Sequence, residues 1–471
     1  MFQTISALLR TVYGLWDDPL PGVPYIACFR TLGLEGVSWT LVGGLPLVYL
    51  REPALIRQLF IKSNTSISRC GSETKGPFGT GKRIVRNALI TADGEVARKW
   101  HADMVRGFHN MPSMEKFHPK LISIATAHVR KLLELGSGDD LQTLLQDYAM
   151  DAVWCLGLGL DNASQYTRDW QQPFDQYVQM AASMSYPLQH TLMNLVSGRD
   201  FSEPDYREND LHARIDVCVL QLLGANSHLL NPEAMAVGEM NFLQWISYDT
   251  GGTAAQPITP AVLAHAKQIF SHGYPAPTLL LLWGLREFSL HPDVKQKLCA
   301  ELNQSGWGKD LKLQTLSHLP YLDAVVNELL RLHPPIPTTA RAIDHPIPMK
   351  TQSGLPFVLP VAARVAVSLD MLHHDPQIWG DDTSSFRPER WSGLLPNTME
   401  AECKYLPFLT GPRRCPCTGF VLQQVKVFLA VLLQEVELEV LNAATVEKRL
   451  GPVAEPTGPL AFTVSLVGSS L

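Results

Sequence analysis

The sequence predicts a mainly α-helical fold with a smaller β-rich lobe, and three observations predict it. Apolar residues recur at three- to four-residue spacing through residues 112 to 250, again from Val262 to Pro292, and again from Phe420 to Leu432. Strand-like alternation is confined to two places, the run from Trp39 to Leu50 and the run from Pro337 onward that is broken by Gly354 and Pro360. Of the 471 residues, 46% are hydrophobic and 18% charged, with no low-complexity tract, so the chain can bury a large core.

Composition narrows the function classes. A net charge of −6 argues against a nucleic-acid-binding surface and leaves a small-molecule ligand as the expectation. Eight cysteines over this length do not make a disulfide framework and fit a cytosol-facing, reducing setting. The apolar start of the chain, residues 1–18, is interrupted by Arg10 and reaches Asp17 and Asp18. At ~1.5 Å per residue its helix falls short of a ~30 Å hydrocarbon core, so no transmembrane helix is expected there. Phe2, Ile5, Leu8, Leu9, Val12 and Trp16 suit either peripheral contact with a membrane interface or docking on the protein's own surface.

In chain order, Trp39–Leu50 reads as a strand pair with a turn, and the EPALIRQLF that ends at Phe60 as a short helix. Residues 61 to 93 are Gly- and Ser-rich. The glycines of GPFGTGKR neither follow a strand nor keep a phosphate-loop spacing, which makes a mobile loop over a pocket the expectation. A basic helix with Arg98, Lys99, His101 and Arg106 is expected over Ala92–Phe108, and the acidic Ser197–Asp210 reads as a solvated loop.

Val262–Pro292 has the length and apolarity of a long buried helix. Pro275 and Pro277 remove two N–H donors and clash with preceding carbonyls, so the helix is expected to kink or open between Ser271 and Pro277. Ser271, His272, Tyr274 and Thr278 stand there either as proton donors or as packing and capping residues. Further on, Glu328 and Arg331 lie three residues apart on one helix face. They are a surface ion pair or, in an apolar setting, a pair that burial obliges to form.

The stretch richest in chemistry is FLTGPRRCPCTGF, Phe408 to Phe420. Cys415 sits where a Pro-rich loop becomes a helix N-terminus, whose unpaired N–H groups favour an anion, so a thiolate is expected there as nucleophile or metal ligand. Phe408, Gly411 and Arg413 suit a flat anionic macrocycle, through a ring against its face, a close backbone and a carboxylate clasp. Haem with its two propionates fits. Structural zinc on Cys403, Cys415 and Cys417 would lack a fourth ligand nearby.

The spacing F-x-x-G-x-R-x-C resembles the haem-binding loop of the cytochrome P450 family. Three further segments match in order: Glu328 and Arg331, the HHDPQIWGDD run, and FRPERW, whose Arg390 the resemblance adds to the Glu328–Arg331 pair as structural core. It implies a single cytochrome P450 domain over residues 19–471, with Pro19–Pro24 as a hinge. The cofactor it implies is heme b, its iron bound by Cys415, with Arg341 clasping a propionate. The activity implied is monooxygenase chemistry on a small organic, secondary-metabolite substrate. No flavin or nicotinamide fingerprint is visible, so electrons are expected from a separate NADPH-cytochrome P450 reductase, on the cytosolic side of the endoplasmic reticulum membrane.

The chain also departs from the family pattern. Cys417 stands where a glycine usually follows the ligand, and is expected to be a small apolar helix residue. On the basic helix, the family's Trp and Arg positions fall at Ala97 and His101, leaving Trp100 and His101 as the expected haem contacts. Gly273 matches the family's glycine, but Pro275 and Ala276 occupy the places of the acid and alcohol that relay protons. Ser271, His272 and Thr278 are therefore the candidate catalytic residues. The missing relay keeps two alternatives open, a reductase-independent isomerase or dehydratase acting on an oxygenated substrate and a non-catalytic haem or ligand-binding protein. Arg414, Lys404 and Lys426 form either a basic docking patch or a solvated face.

Overall fold

Alternating apolar residues give the hairpin β1 (Val37–Val42) and β2 (Leu45–Leu50), antiparallel with Val37 opposite Leu50. The computed structural model describes residues 37–42, 45–68, 88–109, 111–160, 163–164, 206–235, 240–307, 312–361, 363–451 and 453–468. The apolar N-terminal segment, the Pro19–Pro24 hinge and the GPFGTGKR loop lie outside the described residues. After β2, α1 (Pro53–Arg57) starts on a proline, whose missing N–H costs nothing in a first turn, and runs into a π-helical turn, Gln58–Lys62. The short β3 (Ile67–Ser68) follows.

The helical body comprises α2 (Gly94–His109), α3 (Met111–Leu135), the short β4 (Ser137–Gly138), α4 (Leu141–Leu158), α5 (Tyr206–Ala225), α6 (Phe242–Asp249), α7 (Pro260–His272), α8 (Pro275–Leu290), α9 (Pro292–Ser305), α10 (Leu313–Ser317) and α11 (Pro320–Leu332). Side-chain caps set several starts: Asp140 accepts from Thr143 N at 3.1 Å before α4, and Asn241 accepts from Gln244 N at 2.8 Å before α6. Residues 206–210, expected in a solvated loop, form the first turns of α5. The long apolar helix is two helices, because Pro275 and Pro277 cannot donate to the carbonyls of Ser271 and Gly273. The break falls within the expected interval, and Pro275 occupies the first position of α8.

Next come β5 (Thr338–Ile343), β6 (Ile347–Lys350), β7 (Pro356–Leu359), β8 (Arg364–Ser368), α12 (Leu369–His373), α13 (Pro376–Trp379), α14 (Pro396–Ala401), α15 (Thr418–Glu435) and β9 (Val436–Val440). The chain closes with β10 (Lys448–Leu450), β11 (Ala454–Pro456) and β12 (Phe462–Leu466). The largest sheet has the order β1-β2-β8-β5-β3, in which β2 and β8 are parallel and Arg341 of β5 faces Val365 of β8. This is the β-rich lobe, with its own core around Leu55, Leu59, Phe60, Val365 and Leu406. The larger core unites α3, α4, α8 and α15. There Leu279 to Leu285 are buried on every side, and Trp283 donates to Ala454 O at 2.9 Å. The cysteine loop joins the two cores: Phe408 packs in the helical one and Leu409 against that of the lobe.

Candidate active site

Cys415 is partly buried two residues before the N-cap of α15, against the helical core. Its N–H donates to Phe408 O at 2.8 Å and Arg414 N–H to Gly411 O at 3.0 Å, so the loop folds back on itself and presents the cysteine at its tip. Thr418, the first residue of α15, donates its hydroxyl to Cys415 O at 2.9 Å. Gly411 has φ +72, and a Cβ there would meet Phe60 O at 2.6 Å, so glycine alone brings the loop this close to the π-helical turn. Leu409, with φ 62, holds a left-handed conformation in the same loop.

Cys417, where the family has glycine, has φ −103, a conformation open to any residue. It packs, partly buried, against the helical core. The neighbouring Cys415 thiol, and then burial, hold the Cys417 thiol well above its usual range. Cys403 is buried and pushed up to about 11 by desolvation, which makes it an inert core thiol.

At the break His272 is exposed and Gly273, Pro275 and Ala276 are partly so, between buried Ser271 and Pro277. The broken backbone therefore opens onto space. A Cβ on Gly273 would meet Ile269 O at 2.5 Å and Val153 Cγ2 at 2.7 Å, so α7 lies close against α4 there. Ser271 Oγ lies 2.7 Å from Lys267 O and 2.5 Å from His272 Nδ1. Thr278 is buried and donates to Tyr274 O at 2.8 Å, a bond back to the carbonyl four residues earlier that occupies its proton.

Around the loop, Arg341 is 2% exposed. It lies over the Phe60 ring at 4.9 Å and donates to Thr339 Oγ1 and Ala340 O, so a buried positive charge stands beside the turn that Gly411 touches. Arg413 spends its described bonds on the segment before α2, reaching Asp93 Oδ1 at 3.0 Å, Leu89 O and Ala92 O. His101 Nε2 donates to Arg414 O at 2.8 Å, which ties α2 to the residue before Cys415. Trp100 turns the other way, edge-on to His265 of α7 at 4.5 Å.

His265 was not singled out from sequence. It is buried between Trp100 and Phe242, without a hydrogen-bond partner at either ring nitrogen among the described residues, and held at about 4 by desolvation. The available signal was its place four residues before Ile269 on an apolar helix face.

Glu328, Arg331 and Arg390 come together in full burial. Arg331 forks onto Glu328 at 2.8 and 2.9 Å and donates to the carbonyls of His373, Thr383 and Ser385. Arg390 Nε reaches Glu328 Oε1 at 3.4 Å, and Trp391 Nε1 donates to Glu328 Oε2 at 3.0 Å. The three cations expected to form either a docking patch or a solvated face each have a carboxylate: Arg414 pairs with Glu400, Lys404 with Glu402 and Lys426 with Asp323. That face is charge-balanced, and these three cations make no surplus positive patch.

Three observations fit haem to this site: a partly buried cysteine at a loop tip, a buried guanidinium beside the loop, and an accessible break between α7 and α8. Fold and site together define a haem-thiolate protein. A family model described as cytochrome P450 matches residues 34–464. Cytochrome P450 72A397 of Kalopanax septemlobus is 31% identical over 456 residues, covering 93% of this chain and 82% of that protein. Secologanin synthase 2 of Catharanthus roseus is 31% identical over 179 residues, 38% of this chain and 33% of its own length. Cytochrome P450 monooxygenase claU of Ampulloclitocybe clavipes is 34% identical over 192 residues, 38% of this chain and 36% of its own length. The chain belongs to the cytochrome P450 family and is an oxidoreductase of the monooxygenase class, with a haem iron as cofactor.

Proposed function

We propose that this protein inserts oxygen into a small secondary-metabolite substrate, holding haem b through Cys415 and receiving electrons from a separate NADPH-dependent reductase. The observation that carries the proposal is the cysteine presented at the loop tip, its N–H on Phe408 O. The plant and fungal relatives, a secologanin synthase and the claU monooxygenase among them, support the substrate class. When bound, haem supplies the iron and macrocycle for oxygen activation, with the thiolate favouring O–O cleavage.

The chain's own residues do the rest. Phe408 would give the macrocycle an apolar face and Arg341 would supply positive charge for a propionate, while His101, its Nε2–H on Arg414 O, ties α2 to the loop. The Glu328–Arg331–Arg390 cluster holds the connection between α11 and the cysteine loop, since Tyr405 donates to Asn327 O at 3.1 Å and Leu406 N–H to His373 Nε2 at 2.9 Å. At the break between α7 and α8, the carbonyls that Pro275 and Pro277 cannot serve and the Ser271–His272 pair replace the missing acid and alcohol in holding a water and passing protons. Peripheral membrane contact on the cytosolic side of the endoplasmic reticulum is assigned to the N-terminal segment. No described helix is long and apolar enough to cross a membrane.

The test is turnover by the haem-loaded protein. Product that requires reductase, NADPH and O₂ together supports the proposal. Conversion of a hydroperoxide under nitrogen, without reductase, would replace it with isomerase or dehydratase chemistry, which Pro275 and Ala276 at the relay positions favour. No turnover by either route would leave a ligand-binding protein.

A further inference from the structure

On the β-rich lobe, the hairpin of β6 and β7 turns one face inward and one face outward. Pro348 stands opposite Val358 and Lys350 opposite Pro356, and all four are exposed, whereas Ile347, Met349 and Leu359 are buried in the core of the lobe. Along and beside β7, Leu355 is 57% exposed, Val358 59% and Val361 53%. Adjacent exposed apolar side chains of this kind mark an interaction surface.

Charge and backbone chemistry say what covers it. From His345 to Leu369 the chain carries Lys350 and Arg364 and neither Asp nor Glu, and from Pro53 to Ser68 it carries Arg57 and Lys62 and again no acid. Gln58 joins the two segments, its side chain donating to Lys350 O at 2.9 Å and accepting from Lys350 N at 3.2 Å. Exposed Arg57, Ile61, Lys62 and Lys350 therefore lie about one seam beside the apolar face. Cations next to protruding apolar side chains are complementary to an anionic lipid surface, whose headgroups take the charge and whose acyl boundary takes the rest. A second polypeptide fits less well. Pro346, Pro348, Pro356 and Pro360 have no N–H, so the hairpin offers few donors for strand pairing, while lipid asks for none. Val37, where the described chain begins, shares a core with Ile347 and Leu359, so residues 1–36 join the body at this same lobe.

We propose that the β6–β7 hairpin is a lipid-docking surface: Leu355, Val358 and Val361 enter the headgroup and acyl boundary of an anionic membrane while Arg57, Lys62 and Lys350 meet its headgroups. The contact belongs to the folded lobe. It rests neither on the haem assignment nor on a membrane role for the N-terminal segment.

The experiment measures partition of the full chain onto sedimented vesicles of phosphatidylcholine with and without phosphatidylserine. Wild type is expected to favour the phosphatidylserine vesicles, with the preference screened away at high salt. In a Leu355→Asp, Val358→Asp double variant, partition onto both kinds of vesicle is expected to fall about 10-fold or more, and an Arg57→Gln, Lys350→Gln double variant is expected to lose the preference alone. Leu395→Asp, at an exposed apolar residue outside the hairpin, is expected to bind like wild type. Trp16→Asp tests the N-terminal segment separately: loss of binding in the hairpin variants, whatever Trp16→Asp does, supports the proposal. Hairpin variants that partition like wild type would overturn it and leave any binding to the N-terminal segment; the same result with lowered reductase-driven turnover would assign the hairpin to a protein partner instead. Equal weakening in Leu395→Asp would mean unspecific adsorption and overturn it, as would a wild type that stays off both kinds of vesicle. Should the aspartate variant fail to fold, the Arg57→Gln, Lys350→Gln variant decides: an unchanged preference for phosphatidylserine overturns the proposal, and its loss upholds it.

Discussion

Glu328 and Arg331 face each other with Oε1 2.8 Å from Nη2 and Oε2 2.9 Å from Nε, and neither side chain is exposed. With Arg390 and Trp391 on the same carboxylate, one anion satisfies donors from two distant parts of the chain. Glu328→Ala leaves two guanidinium groups buried beside an apolar methyl and is expected to destabilise the fold by about 3–5 kcal/mol. Urea denaturation of the haem-free proteins measures it. A loss under about 1 kcal/mol, typical of an exposed pair, would contradict the burial.

Gly411 is a second point where the site depends on geometry. Gly411→Ala combines a positive φ with a Cβ 2.6 Å from Phe60 O, so the loop must retreat from the π-helical turn. The expected cost is about 1–3 kcal/mol, together with a lower fraction of protein retaining haem through gel filtration. Wild-type retention and stability in this variant would show that the close approach is dispensable.

The acid limb of stability should report His265. Its pKa is about 4 in the folded chain against an ordinary 6.5, lowered by burial. Between these values the unfolded chain takes up the proton and the folded chain does not, so stability falls as pH drops through the window, by on the order of 3 kcal/mol when complete. His333 and His373, held at about 4 and about 3 by burial, act in the same direction. In His265→Phe the slope between pH 6.5 and 4 should be shallower, and the ring, packed between Trp100 and Phe242, should leave stability at pH 7 equal or higher. Denaturant midpoints across that range check both statements.

The proton delivery proposed for the broken helix has its own signature. Ser271→Ala and His272→Ala are each expected to lower substrate turnover about 10- to 100-fold, with more peroxide released per NADPH consumed. A Pro275→Asp, Ala276→Thr double variant, which returns an acid and an alcohol to their family places, is expected to move peroxide release the other way. Unchanged coupling in all three variants would remove the Ser271–His272 pair from the reaction.

Much of this was legible in local sequence, because the informative features act over short spans. Pro275 and Pro277 dictate where the apolar helix opens, Glu328 and Arg331 share one helix face, and Cys415 follows its loop within eight positions of Phe408. What the sequence did not disclose depends on contacts between distant segments. Nothing in a one-dimensional pattern places His101 on the Arg414 carbonyl, turns Trp100 towards His265, or spends Arg413 on Asp93. The acidic run to Asp210 looked like loop because its composition is polar, yet residues from Tyr206 onward are helical and Leu211 and Ile215 are buried.

The account stands on Cys415, and one spectrum tests it most directly. Haem-loaded protein, reduced and exposed to carbon monoxide, is expected to show the red-shifted Soret band of a thiolate ligand, absent in Cys415→Ser and retained in Cys417→Ser. A protein that stays colourless after haem supplementation, or a band that survives Cys415→Ser, would contradict it.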